Sequence, residues 1–474
     1  MGAGPAGLTA AYELAKKNIK LIVLEKGDKV GGISRTETYK GYHFDIGGHR
    51  FYTKVEEVQQ LWQEVLGDEF IKVPRLSRIF YQGSFFQYPL SLFDTLSKLG
   101  IWESFLILLS YLKVKWRPLP VEENLEQWVT NRFGERLHKT FFKTYTEKVW
   151  GIPCNQIQAE WAAQRIKGLS VKTAVYNALF GANDTKTLIK EFDYPVLGPG
   201  MMWERFAQKV ESFSGQVYLD TKVLRLERSG NRITKVIAER GGNLIEIAAD
   251  NFISSMPVTA LIQNMEPAPP SEVLEAASQL KYRDFLIVAL IIDAPTLFPD
   301  NWIYIHSPGV KVGRIQNFKN WSVAMVPDSN KTCLGMEYFC NVGDDLWNMS
   351  DEELIELAKQ ELGSLCLGDS NLVSDGVVIR QPKAYPVYDS EYQTHLKVIQ
   401  EFVETIENLH TIGRNGMHRY NNQDHSMLTG LLAAKNLLGE KHDLWGVNTE
   451  RSYYEEFATK TPKPESILDT RSHQ

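Results

Sequence analysis

Gly2-Ala3-Gly4-Pro5-Ala6-Gly7 leads directly into a helical pattern over residues 3–17, and residues 20–25 (KLIVLE) follow as a buried strand. This stretch decides the fold. Its first glycine permits a tight turn, its second lets backbone amides approach a pyrophosphate, and its third lets the helix pack close. The helix N-terminus then faces the negative charge. Glu25 lies 18 residues beyond Gly7, at the strand end, where a carboxylate can bond a ribose hydroxyl. A lone GxGxxG is weak, but joined to this acid it points to a dinucleotide.

The next segment, Val30-Gly31-Gly32-Ile33-Ser34-Arg35-Thr36, strengthens the reading. A second glycine pair permits another close backbone approach, and Arg35 can face phosphate. Here the chain resembles the FAD-binding amine-oxidase and glutathione-reductase-like superfamily, whose fingerprint runs GxGxxG, a ribose Glu, then GG with a downstream Arg. NAD sites normally lack the GG-Arg extension. The resemblance therefore implies FAD, held by Gly2, Gly4, Ala6, Gly7, Glu25, Lys26, Gly31, Gly32, Arg35 and Val223. A Rossmann unit places a strand before its Gly loop, whereas this loop starts at residue 2. Met1 accordingly reads as an internal methionine at the end of that strand.

At 474 residues the chain exceeds one simple core and calls for two domains or one split domain. With 43% hydrophobic and 23% charged residues it is ordinary globular protein, which excludes wholesale disorder. A net charge of −6 gives no general attraction to nucleic acid or to an anionic membrane, so a local Arg cluster must hold any anionic ligand. Cys154, Cys333, Cys340 and Cys366 lack CxxC or disulfide spacing and read as buried free thiols in a reducing cytosol. No metal site is expected. No signal-peptide pattern is expected either, which points to a cytoplasmic protein. The apolar stretch 101–114 contains Glu103 and Lys113 and falls short of the roughly 20 residues of a bilayer span. A buried or half-buried helix is the preferred reading there, with a membrane-surface helix as the alternative.

Helical patterns are expected at 54–66, 91–114 and 122–149, with strands at 79–82 and 85–88. Short alternating strands between turns over 216–255 suggest a β-meander. Strands at 285–292 and 334–339 then mix with helices at 351–363 and 390–404, and 423–438 closes the pattern as a helix. The fold class is α/β. A split Rossmann-type FAD-binding domain, short of its first strand, is expected over 1–53, 198–256 and 405–460. An interleaved mixed-sheet and helical substrate domain takes 54–197 and 257–404, and 461–474 reads as a flexible tail.

Two further constellations carry chemistry. Phe44-Asp45-Ile46-Gly47-Gly48-His49-Arg50-Phe51 sets a glycine pair beside a His, which suits a loop running close to a flat ring system. Near the other end, Gly413-Arg414-Asn415-Gly416 precedes Tyr420-Asn421-Asn422-Gln423-Asp424-His425-Ser426-Met427 and a helix. Polar groups at a helix N-terminus suit a ribityl chain and flavin edge. These loops resemble those of UDP-galactopyranose mutases, particularly the eukaryotic type. The likeness continues through Lys148-Val149-Trp150 with Trp161 and Arg165, through Tyr304, Arg314 and Trp321 at spacings of ten and seven, and through Ala384-Tyr385-Pro386.

That resemblance implies that Gly47, Gly48, His49, Gly413, Arg414, Asn422, Gln423, Asp424 and Ser426 hold the flavin end of FAD. It implies catalytic roles for His49, Arg165 and Arg314, with both Arg on a substrate diphosphate helped by Tyr385 and Tyr420. Tyr88, Trp150, Tyr304, Trp321 and Asn422 complete the implied substrate pocket. Thr146 stands where the family has Asn, Trp321 where it has Tyr, and residues 192–200 replace a GGxG-type loop. The implied reaction is attack by reduced flavin N5 on the anomeric carbon of a nucleotide-diphosphate sugar, with no net redox. An external reductant such as NAD(P)H is compatible with it. The alternatives are an FAD oxidoreductase of the amine oxidase, protoporphyrinogen oxidase or desaturase type, and a non-catalytic relic of the fold.

Overall fold

The computed structural model describes residues 1–88, 90, 92–159 and 190–448. Trp161, Arg165, most of the long segment 181–193 and the tail 461–474 fall outside the described residues.

The Gly loop lies where two parallel ribbons meet. Ile22–Leu24 pairs with Gln216–Tyr218, and Phe252–Ser254 pairs with Leu409–Thr411. Met1 touches both. Its amino group donates to the Ile253 carbonyl (2.8 Å) and its carbonyl accepts from the Ser255 N–H (3.0 Å). The Gly2 N–H donates to the Leu24 carbonyl on the other side (2.7 Å). Met1 and Gly2 therefore bridge the two ribbons.

The run of short strands over 216–255 does not form one meander. Thr221–Ser229, Arg232–Arg240 and Asn243–Ala248 pair antiparallel, and Met265–Glu266 joins them in parallel. The outer two runs leave for the ribbons. Each is three residues long, so it shares no more than three pairs with any neighbour.

A mixed sheet of seven strands forms the other half. Its order is Val373–Pro386, Tyr282–Ile292, Thr332–Cys340, Arg314–Asn317, Trp302–Ile305, Ser77–Tyr81 and Ser84–Gln87. Trp302–Ile305 runs parallel to Ser77–Tyr81, and the other neighbours are antiparallel. Every residue of Thr332–Cys340 is buried, as expected of a central strand covered on both faces. Alternation along Tyr282–Ile292 divides two cores. Phe285, Ile287 and Ile291 face the aromatic side with Trp150 and Trp321, whereas Leu286, Val288 and Leu290 meet Leu354, Ala358 and Leu362 of the helix Asp351–Ser364. The edge strand Val373–Pro386 escaped the sequence reading because its Ser, Gly and Pro are those of a loop, which only an edge position tolerates.

Two expected helices break at glycine. Residues 91–114 divide at Gly100 (φ +86°) into Leu92–Leu99 and Ile101–Trp116. Residues 122–149 divide at Gly134 (φ +86°), where a Cβ would lie 2.8 Å from the Tyr111 nitrogen. Of the two expected readings the half-buried one holds for 101–114: Ile107 and Val114 are buried, Leu106 and Tyr111 are partly buried, and one apolar face is exposed. Ile101, Trp102 and Trp116 are 92%, 71% and 82% exposed. Buried positions seven apart make one narrow seam, which cannot cover a helix that is apolar on several sides. The four cysteines are free, yet Cys366 is exposed, unlike the buried Cys154, Cys333 and Cys340. Among the described residues, no helix is long and apolar enough to cross a membrane.

Candidate functional site

The cradle is built by backbone approach. A Cβ on Gly7 would lie 2.0 Å from the Gly2 carbonyl oxygen, and one on Gly2 (φ +99°) would lie 2.3 Å from Ser255 Oγ. The helix Pro5–Ala15 starts without a side-chain cap and without an acidic residue in its first turn, so its amides remain available to an anion. Gly31 donates its N–H to the Ala3 carbonyl (2.8 Å), and a Cβ on Gly32 would lie 3.3 Å from Gly4 Cα. The two glycine motifs thus touch. Glu25 accepts the Ala3 N–H (2.8 Å) and the Gly27 N–H (3.0 Å), which fixes its carboxylate at the strand end.

Three predicted neighbours are differently placed. Arg35 donates to Glu37 (2.6 Å), to the Gly32 carbonyl (2.9 Å) and to Gln381 (2.8 Å), so its guanidinium ties the second glycine loop to the large sheet. Lys26 is exposed at the mouth, and Val223 is buried in its strand.

The C-terminal motif closes over the same helix. A Cβ on Gly413 would lie 2.9 Å from Ala6 Cβ, and one on Gly430 would lie 2.2 Å from the Ala6 carbonyl oxygen. Asn422 caps the helix Gln423–Leu437 through a reciprocal arrangement with His425. Gln423, Asp424 and Ser426 are all buried in its first turn. Gln423 donates its amide to the His49 carbonyl (3.2 Å), which joins this helix to the Gly47-Gly48-His49 loop. Residues far apart in sequence therefore meet around one volume.

His49 is neutral. Burial lowers its pKa to about 4, with Arg414 and Arg314 pressing the same way. Its Nε2 lies 2.9 Å from the Ile46 carbonyl, which can only accept, so this bond forms when the proton is on Nε2. Behind the loop, Asp45 accepts from Thr36 (2.8 Å) and from Tyr194, and burial raises its carboxyl to about 7.

These groups fit an FAD. The glycine contacts leave no room for side chains along the loop where a pyrophosphate would lie, and Glu25 is held at the strand end, where a ribose hydroxyl would reach it. Gln423 Oε1 and Gln316 Oε1 are buried without a hydrogen-bond partner, and Gln316 Oε1 lies 3.7 Å from a Cβ built on Gly48. Buried amide oxygens of this kind want donors, which a flavin ring edge supplies. Among the described residues, no group of His, Cys, Asp and Glu could hold a metal.

The face beyond the loop is cationic and aromatic. Arg314 donates to the buried Glu337 and to the Tyr385 hydroxyl (2.8 Å). Arg414 lies 4.0 Å over the Tyr420 ring and 4.8 Å over Tyr385, while donating to the Ala384 (2.9 Å) and Asn421 (3.1 Å) carbonyls. Trp150 lies 6.3 Å from Tyr385 and 6.0 Å from Tyr420. Tyr304 lies 4.6 Å from Tyr88, and Trp321 stacks on Trp302 at 5.3 Å. Burial pushes the Tyr385 phenol up to about 12, against the pull of Arg314. The structure thus brings together the predicted Tyr88, Trp150, Tyr304, Arg314, Tyr385, Arg414 and Tyr420.

Some residues of this face were not predicted. Glu337 holds both Arg314 and Gln316, and Tyr145 stacks on His306 at 4.5 Å beside Tyr304. The lone acid within the apolar run TCLGMEYFC was a readable signal of a buried partner. Lys148 donates to the carbonyls of Ile305, Ser307 and Val312, so it clamps a loop.

Comparison with known proteins accords with this geometry. The family model for flavin containing amine oxidoreductase matches residues 5–438. A 1-hydroxycarotenoid 3,4-desaturase from Flavobacterium sp. (strain P99-3) is 26% identical over 294 residues, which is 56% of this chain and 58% of that protein. The chain thus spans little more than half of that relative's length. A crystal structure of reduced UDP-galactopyranose mutase matches with a TM-score of 0.82 at 21% identity, covering 94% of this chain and 95% of that one. Putrescine oxidase bound to putrescine matches with a TM-score of 0.60 at 16% identity, over 93% and 98%.

Proposed function

The chain belongs to the flavin containing amine oxidoreductase family, and we propose that within it the protein is an FAD-dependent nucleotide-sugar mutase. One observation carries this reading: beside the Gly47-Gly48-His49 loop, Arg314 and Arg414 share a largely buried wall with Trp150, Tyr385 and Tyr420. Guanidinium groups among phenols suit a diphosphate, and each charge-assisted bond to it contributes about 1.5–3 kcal/mol. A polyene substrate would have no use for them.

FAD, when bound and reduced, supplies the nucleophile. The side chains named here bind and orient. Arg314 keeps Nε on Glu337 and one terminal nitrogen on Tyr385, which leaves Nη1 for a phosphate oxygen. Tyr385, held protonated, donates its own hydroxyl proton as a hydrogen bond. Trp150, Tyr304 and Tyr420 offer flat faces to base and sugar and exclude water. Neutral His49 holds the loop through Ile46 and brings no charge to the flavin edge. Arg165, placed on the diphosphate by the family resemblance, would add a further guanidinium.

A second reading, an FAD oxidoreductase, has its own support in Glu337, whose buried carboxylate already offsets the charge of Arg314. A neutral or cationic substrate would then be the better match. Incubation of the dithionite-reduced protein with a panel of UDP-sugars separates the two. A ring isomer formed without acceptor consumption supports the mutase; steady consumption of oxygen or an acceptor dye supports the oxidoreductase.

A further inference from the structure

The helix Ile101–Trp116 forms an apolar ridge that the described fold leaves uncovered. Ile107 and Val114 make its inward seam. Polar contacts fix its pose: Glu103 pairs with Arg136 (2.6 Å), Ser110 Oγ accepts the Arg136 N–H (3.1 Å), and Lys115 donates to the Asn131 carbonyl (3.3 Å). The helix is therefore held firmly while Trp102, Phe105, Leu108, Leu109, Leu112 and Trp116 face outward and exposed. Exposed Leu119 and Val121 continue the apolar surface past its end. So large a contiguous patch marks an interaction surface.

Charge follows the same geometry. Lys113, Lys115 and Arg117 cluster at the C-terminal end of the ridge. Among the described residues, neither Lys115 nor Arg117 has a carboxylate partner; they lie 5.4 Å over the rings of Tyr111 and Trp116. Glu122, paired with Arg132, and exposed Glu123 lie just beyond Val121, so the basic groups belong to the helix end itself. The two tryptophans stand at opposite ends of the helix, about 21 Å apart at 1.5 Å per residue.

We propose that this ridge docks in plane on an anionic lipid bilayer. Trp102 and Trp116 would lie at headgroup level, the Leu and Phe side chains at the acyl boundary, and Lys113, Lys115 and Arg117 among the phosphates. Amphipathic aromatic belts and unpaired bases beside an apolar row are what such a surface recognises. A second copy of the chain is the weaker occupant. A stable contact needs roughly 800 Å² per partner, and a convex ridge one helix wide leaves most of that row uncovered against its own twin. The net charge speaks only of the mean field and does not forbid local attraction to anionic lipid.

Co-sedimentation of the full chain with vesicles tests this, using phosphatidylcholine alone and with about one third phosphatidylglycerol. The protein should pellet with the anionic vesicles. Trp102→Glu combined with Leu109→Glu should lower partitioning at least tenfold or so. Lys115→Glu with Arg117→Glu should lower it roughly 30-fold on anionic vesicles only. All these positions are exposed, and an unchanged far-UV spectrum and flavin absorbance would show that the variants fold. Failure of the wild type to pellet, or pelleting indifferent to all four substitutions, overturns the proposal. So does a dimer that ignores vesicles and is broken by Trp102→Glu, which would assign the ridge to a second copy.

Discussion

Around the Gly loop the contacts are made by backbone and by missing side chains; on the large sheet they are made by side chains from distant strands. Gly2, Gly7 and Gly430 could not carry a Cβ without collision, and Glu25 is held by two amides. Across the volume, Arg314 depends on Glu337 and Tyr385, and Tyr385 packs near Trp150 and Tyr420. A backbone-built site restricts residue type at fixed spacing. A side-chain-built site restricts only what meets in space.

The largest expected effect lies on the side-chain half. Arg314→Ala leaves Glu337 buried and unpaired and should cost about 3–5 kcal/mol of stability by denaturant unfolding. Replacing both partners by Met should recover most of it. If Arg314→Ala unfolds like wild type, the pair is not the anchor described. Next comes the backbone half. Gly7→Ala forces its methyl onto the Gly2 carbonyl, should cost about 3 kcal/mol, and should yield colourless protein. Retention of full flavin absorbance would break the contrast.

The pH response sharpens it further. Burial lowers His49, His138 and His418 to about 4 and His306 to about 3, so each stays neutral in the fold and takes up a proton more readily when unfolded. Stability is therefore whole above the ordinary His pKa near 6.5 and is lost as pH falls from there toward 4. His138, whose two ring nitrogens lack partners, should contribute about 2 kcal/mol of that loss at pH 5. His138→Phe should flatten the melting temperature between pH 7.5 and 5 by a matching amount; an unchanged slope would show that His138 is not buried neutral. The smallest effect belongs to Glu25→Gln, which retains one acceptor and should weaken FAD by about 1–2 kcal/mol, read as a five- to 30-fold rise in Kd by flavin titration.

This contrast explains what was legible in the sequence. The Gly-loop helix, its strand, the acid at the strand end and the closing helix could be read because spacing and glycine report backbone geometry directly. The paired strands of the aromatic face could not: Trp302–Ile305 and Arg314–Asn317 are four residues each, too short for periodicity, and Val373–Pro386 carries the composition of a loop. Arg314, Tyr385 and Tyr420 emerged only through resemblance, and that route says nothing of Glu337. Which face of Ile101–Trp116 turns outward was not legible, because apolar content records hydrophobicity, not which side the rest of the chain covers.

The most direct test of the proposed mutase follows two quantities in one reaction. Dithionite-reduced protein is mixed with a UDP-sugar under anaerobic conditions, product is resolved by chromatography, and the flavin spectrum is read throughout. The account predicts a ring isomer accumulating over many turnovers while the flavin stays reduced, with Arg314→Lys recovering only part of the rate because an ammonium cannot copy the planar fork. Product that appears only as flavin or an added acceptor changes redox state, in stoichiometric amount, would contradict it.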